Sequence, residues 1–121
     1  MKDLGHKTWL IADMYYPAKS TDSKSHDAIC VVNVSGADAH IKITAMFPDK
    51  APMVFNATCP NMRTNHIRMD EIANSDGDRI PTNTPYSAMV ESDTDIVVQY
   101  SRLDTSCGGM ALMTSIAYPV K

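Results

Sequence analysis

The chain has 121 residues, 44 % of them apolar and 21 % charged, with a net charge of −3, which suits one globular domain, residues 1–121, with a core of its own. That balance gives no electrostatic reason to expect nucleic acid or an anionic membrane as a partner. No apolar run nears the roughly 20 residues of a membrane span, and the polar opening Met1-Lys2-Asp3-Leu4-Gly5-His6-Lys7 has no signal-peptide core behind it, so a cytoplasmic location is expected.

Apolar residues recur with period two far more than with period 3.6, so strands are expected throughout. Lys7–Asp13 comes first, apolar on both faces as a central strand is. Tyr15 to Asp27 follows, rich in Ser, Lys and Asp, and reads as an exposed excursion. Ala28–Val34 is again apolar on both faces. Ala39 to Phe47 alternates most cleanly: Ile41, Ile43, Ala45 and Phe47 on one face, His40, Lys42, Thr44 and Met46 on the other, as in a half-buried antiparallel strand. Met53–Thr58 and Met62–Met69 follow, then a single helical turn at Met69–Ala73. Tyr86–Glu91, Asp95–Leu103 and Met110–Tyr118 complete a set of eight. The last is read as a strand on its alternation, although Ala, Leu and Met also suit a helix. The breaks carry turn chemistry: Ser35-Gly36-Ala37-Asp38, Pro48 to Pro52, Cys59-Pro60-Asn61, and the longer loop Asn74 to Asp78. Eight short strands in this length predict an all-β fold, an antiparallel β-sandwich of jelly-roll type, with a partly open barrel as the alternative. An apolar strand edge is a hazard for a monomer, so self-association is expected as well.

The chemistry-bearing residues are few. Cys30, Cys59 and Cys107 are odd in number and scattered, which fits free thiols in a reducing compartment. No Cys-x-x-Cys occurs, and His6, His26, His40 and His66 show no metal-ligand spacing. Signatures of hydrolases, phosphate-binding loops and dinucleotide folds are absent. A Cys107–His66 nucleophile pair has no support in sequence. Trp9 reads as core more readily than as a sugar-stacking ring. In Arg63–Arg68 one strand face carries Thr64, His66 and Arg68 and the other Arg63, Asn65 and Ile67. His66 and Arg68 side by side suit a carboxylate, a phosphate or polyol hydroxyls; a solvated face with rim salt bridges is the equal alternative. Gln99 follows Ile96-Val97-Val98, so a partly buried amide in need of a partner is expected. Arg102 and Asp104, two apart on one face, are expected to pair with each other.

The residues Trp9-Leu10-Ile11-Ala12, Ser25-His26-Asp27 with Cys30-Val31-Val32-Asn33, Asp38-Ala39-His40-Ile41, Pro48 to Pro52, Arg63 to Arg68 and Ile80-Pro81 occur in the order of a known family. The most specific stretches are Ile96 to Asp104 and Ala111 to Tyr118. On these motifs the chain resembles the sensory rhodopsin transducer family, whose namesake couples to a membrane photoreceptor. It departs in having Asp27 where that family tends to have Glu and Tyr100 where His is expected. The resemblance implies a jelly-roll β-sandwich, a homotetramer, no catalysis and no cofactor.

Carried onto this chain, it makes His26, Asp27, Arg63, His66, Arg68, Gln99, Arg102 and Asp104 the candidate ligand site. A polar small molecule such as a sugar is the expected ligand. Arg63, Arg68 and Arg102 would orient anionic groups or hydroxyls, and His26, Asp27 and Gln99 would complete the hydrogen bonds. The rival function is a protein-interaction adaptor for a membrane receptor such as a sensory rhodopsin. A metal-dependent cupin-like enzyme ranks third, because it needs three converging ligands.

Overall fold

The computed structural model describes residues 4–21 and 23–121. Met1, Lys2 and Asp3 of the polar opening, and Asp22 of the Tyr15–Asp27 excursion, lie outside the described residues. Eight strands form among the described residues: β1 His6–Met14, β2 His26–Asn33, β3 Ala39–Met46, β4 Met53–Cys59, β5 Arg63–Arg68, β6 Tyr86–Asp104, β7 Ala111–Ile116 and β8 Tyr118–Val120. All pairings are antiparallel. The all-β antiparallel sandwich is therefore the fold. No helix among the described residues is long and apolar enough to cross a membrane.

The two sheets share one strand. The first sheet runs β4-β3-β6-β1-β8, and the second runs β5-β2-β6-β7. The first part of β6 pairs with β3 up to Ser92, and its last part pairs with β2 from Val97 onward. Residues Ser92 to Ile96 thus carry the chain from one layer into the other. The sequence pattern predicts two strands here, Tyr86–Glu91 and Asp95–Leu103; they are one continuous strand of 19 residues. Even-numbered residues Tyr86, Ala88, Val90, Ile96 and Val98 point inward along it. The polar interval Ser92–Asp95 suggests a turn, but the strand runs on through it: β3 pairs with β6 up to Ser92, β1 pairs on either side of the interval at Glu91 and Ile96 with a register shift between, and β2 takes over from Val97. Met110–Tyr118 errs the other way. It divides into β7 on the second sheet and β8 on the first, hinged at buried Ala117, whose N–H donates to the Val98 carbonyl at 3.1 Å. The Met69–Ala73 segment makes a hydrogen-bonded turn, with Ile72 N–H reaching the Arg68 carbonyl, and goes no further.

The core lies between the layers. From β3 it takes Ala39, Ile41, Ile43 and Ala45, the face that alternation assigned to it, and from β2 Ile29 and Val31. Trp9 is buried among them and its indole N–H donates to the His6 and Ile96 carbonyls at 3.0 and 3.1 Å. It is a core residue, satisfied by backbone, with no face free for a sugar. Gly5 stands at the crossover of β6 with a φ of +88°, and a Cβ there would collide with the Ile96 carbonyl. Glycine is required at that point both for its dihedral and for the close backbone approach.

Asn33 closes the far end of β2. Fully buried, it donates to the Ala37 and Cys59 carbonyls at 2.7 and 2.8 Å and accepts from Ser35 N–H. Three hydrogen bonds satisfy an amide that would otherwise be costly to bury.

Candidate functional site

The second sheet brings most of the candidate side chains together, and register decides which face each occupies. Residues directly opposite on neighbouring strands share a face, about 5 Å apart. Cys30 stands opposite both His66 on β5 and Gln99 on β6. Ala28 stands opposite Arg68 and Ser101, and Ser101 opposite Thr114. These residues form the outer, solvent-facing side of the second sheet. A hollow of about 290 Å³ lies over Cys30, Thr64, His66, Val97, Gln99 and Ser101. A second, of about 370 Å³, adjoins it at Ser101 and is walled by His26, Arg102, Leu103, Leu112 and Thr114. The two make one open trough across the sheet.

The trough floor is rich in hydrogen-bonding groups. Gln99 Nε2 donates to Thr114 Oγ1 at 3.0 Å, and Thr114 in turn donates to the Tyr100 carbonyl at 3.1 Å. The expectation that Gln99 is partly buried is corrected: the residue is exposed. It falls on the odd-numbered side of β6, whose even-numbered residues face the core. The Cys30 thiol lies 3.8 Å from the Ser101 hydroxyl.

Asp27 and Arg102 belong to the opposite, inward side. They are direct cross-strand partners. Arg102 donates from Nε to Asp27 Oδ1 at 3.0 Å and from its terminal nitrogen to Oδ2 at 3.2 Å. Asp27 Oδ2 also accepts the Tyr15 N–H at 2.8 Å, and its side chain is only 1 % exposed. The expected Arg102–Asp104 pair does not form. Residues two apart along a strand are separated by more than directly opposed neighbours, so Asp27 takes the guanidinium. Asp104 instead accepts from the Ser106 N–H and hydroxyl at 2.8 and 2.6 Å, which hold its carboxyl below the usual range. The hydrogen bonds to Asp27 raise Arg102 above its ordinary value.

Arg68 is similarly committed. It donates from Nε and a terminal nitrogen to the two oxygens of Asp70, both at 2.8 Å, in the fork geometry that Arg favours. Burial alone would raise the Asp70 carboxyl, but the hydrogen bonds and charge of Arg68 outweigh it and hold Asp70 below the ordinary value. Lys24 approaches the same carboxylate at 3.5 Å. His66 and Arg68 do lie along one face and also line an open groove of about 350 Å³ beside β4. Arg63 stands apart, exposed at the other end of β5, donating to the neighbouring Met62 carbonyl. The eight candidates therefore separate: His26, His66 and Gln99 line the trough, Arg68 borders it, Asp27 and Arg102 pair inside, and Arg63 and Asp104 lie at the margins.

Cys30, Thr64, Ser101 and Thr114 join the trough without having been singled out. Their signal was present as i, i+2 spacing: Thr64-His66-Arg68 and Val97-Gln99-Ser101 each share one face. What placed the two sets side by side was β2 between them.

The excursion before β2 is tied down. Buried Thr105, at the end of β6, bonds to Thr21, Ser23 and Ser25, and Asn83 bonds to Tyr16 and Ala18. The Tyr86 hydroxyl is buried with no hydrogen-bond partner among the described residues. Burial, with the Asp27 charge adding to it, raises the Tyr86 phenol far above its usual value, so it stays neutral. No three His, Cys, Asp or Glu side chains among the described residues converge as a metal site.

A family model described as Anabaena sensory rhodopsin transducer matches residues 4–119. Among solved structures, the crystal structure of Thermotoga maritima 1070 superposes with a TM-score of 0.88 at 34 % identity, over 99 % of this chain and 97 % of that one. The Anabaena sensory rhodopsin transducer superposes with a TM-score of 0.74 at 34 % identity, over 84 % of this chain and 90 % of that one. No curated protein sequence matches the chain.

Proposed function

This chain belongs to the Anabaena sensory rhodopsin transducer family, and on that premise we propose that it is a non-catalytic cytoplasmic signalling module that binds a polar small molecule, such as a sugar, in the trough of the second sheet. The observation that supports this best is the trough floor itself: thiol, imidazole, amide and hydroxyl groups of Cys30, His66, Gln99, Ser101 and Thr114 set in an otherwise apolar sheet. Such a mixture of donors and acceptors suits hydroxyl-bearing ligands. The ion pairs refine the reading. Arg68 is bound to Asp70 and Arg102 to Asp27, so neither guanidinium is free to seize an anion. A neutral polyol or sugar therefore fits better than a sugar acid.

Titration calorimetry against matched neutral sugars and sugar acids tests this. Heat from a neutral member, lost in His66→Ala and Gln99→Ala, is expected. No heat from any compound refutes it.

The adaptor role is a second reading, with a homotetramer engaging a membrane receptor such as a sensory rhodopsin. It draws on the family and on the exposed apolar residues of the β7–β8 ribbon, Leu112, Ile116 and Tyr118. Co-purification with a membrane receptor, abolished by Tyr118→Lys, is the expected result.

A further inference from the structure

Three side chains of the trough stand abreast on three neighbouring strands. Cys30 of β2 is directly opposite His66 of β5 on one side and Gln99 of β6 on the other. Cross-strand neighbours have Cβ atoms about 5 Å apart, so a thiol, an imidazole and an amide form one row under the hollow of about 290 Å³. No spacing along the chain announces this set, because each member comes from a different strand.

The hydrogen bonds around the row fix what each group can offer. Gln99 Nε2 lies 3.0 Å from Thr114 Oγ1, and that hydroxyl donates its one proton to the Tyr100 carbonyl at 3.1 Å. Thr114 can therefore only accept from Gln99, which sets the amide nitrogen toward Thr114 and turns Oε1 away from it. On β5, Thr64, Asn65 and Arg68 are all hydrogen-bonded, whereas the exposed His66 ring has no hydrogen-bond partner among the described residues. Cys30 is half-buried, and its sulfur has only long contacts, 3.8 Å to the Ser101 hydroxyl and 4.0 Å to the Ala28 carbonyl. One sulfur, one nitrogen and one oxygen donor are thus uncommitted side by side.

We propose that this row binds a thiophilic divalent cation, with zinc as the type ion, through Cys30 Sγ, the His66 ring and Gln99 Oε1. Zinc takes a thiolate at about 2.3 Å and imidazole or oxygen at about 2.0–2.2 Å. An ion seated on the Cys30 sulfur stands over the middle strand. His and Gln are long enough to reach it from roots about 5 Å to either side. The fourth corner of the tetrahedron faces the open hollow and takes water. On binding, the Cys30 S–H bond breaks, the S–Zn bond forms and the proton passes to solvent.

The donor set decides the class of ion. Thiolate and imidazole suit zinc and its neighbours, whereas magnesium and calcium take oxygen shells. The nearby guanidinium does not oppose a cation, because Asp70 neutralises Arg68 through two hydrogen bonds of 2.8 Å. Thr114 is a positioning residue: it touches no ion and acts by holding the Gln99 amide in orientation. The site does not rest on the trough's binding a sugar, and it is testable without one.

Cobalt(II) stands in for zinc and reports a thiolate ligand by an intense charge-transfer band in the near ultraviolet. It is titrated into reduced Cys107→Ser protein, whose remaining thiols are Cys30 and the buried Cys59. One cobalt per chain with that band is expected. Zinc should displace it, and magnesium and calcium should not. Cys30→Ser and His66→Ala should abolish the band. Gln99→Ala and Thr114→Val should each weaken binding roughly tenfold, although Thr114→Val removes no donor atom. Circular dichroism checks that the variants are folded; His66 and Gln99 are exposed, so their variants decide the matter if Cys30→Ser does not fold. Absence of the band in the parent overturns the proposal. So does a band that persists in Cys30→Ser, or an affinity that is unchanged in His66→Ala or in Gln99→Ala.

Discussion

Replacing Arg102 with Met tests the account of the inner ion pair most directly. The Asp27 carboxylate is 1 % exposed and takes three hydrogen bonds, two of them from Arg102. Arg102→Met leaves a buried charge with only the Tyr15 N–H. Stranding one member of a buried pair costs about 3–5 kcal/mol. The Arg102 side chain is 21 % exposed, so solvent screens part of the pair and the lower end of that range is expected, about 3 kcal/mol. Against a total stability of roughly 5–15 kcal/mol, the melting temperature should fall by on the order of 10 °C. Urea denaturation followed by far-ultraviolet circular dichroism measures it. The double variant Asp27→Leu/Arg102→Met removes both charges and should recover much of the loss, short of about 1–3 kcal/mol for the orphaned Tyr15 N–H. A cost below about 1 kcal/mol would refute the reasoning, since it would mean that Asp27 is hydrated or otherwise paired.

Three further outcomes follow from the packing. Tyr86→Phe removes a buried hydroxyl that has no partner among the described residues, so thermal melts should show it neutral or stabilised by up to about 1 kcal/mol; a loss of stability counts against this placement. Gly5→Ala should destabilise by at least about 1 kcal/mol, because φ is +88° and the added methyl meets the Ile96 carbonyl, and hydrogen exchange should show the crossover of β6 loosening first. Asp70 is held below its unfolded value, so its contribution to stability is fully present above about pH 4 and is lost as pH falls through the folded value; in Asp70→Asn that acid-dependent part of the stability curve should be missing.

The alternation of Ile41, Ile43 and Ala45, and of Val97, Gln99 and Ser101, is a local property. Because successive strand side chains point to opposite sides, the linear sequence alone determined that these segments are strands and which residues share a side. It determined the core side of β3 and the all-β class, and its motifs, in order, were enough for the family. It did not determine which strands are neighbours. Arg102 and Asp104 satisfied the local rule for a pair, yet β2 lies alongside β6 and sets Asp27 directly opposite Arg102, nearer than Asp104. The same register turned Gln99 outward and set His66 beside Cys30. Nor did local polarity reveal that Ser92–Ile96 is a passage between sheets: a strand ends where its partners end, and β6 has partners in both layers. Strand identity lives in the spacing of residues along the chain. The trough, the ion pairs and the shared strand live in contacts between residues as many as 90 positions apart, as His6 and Ile96 are, which only the folded arrangement supplies.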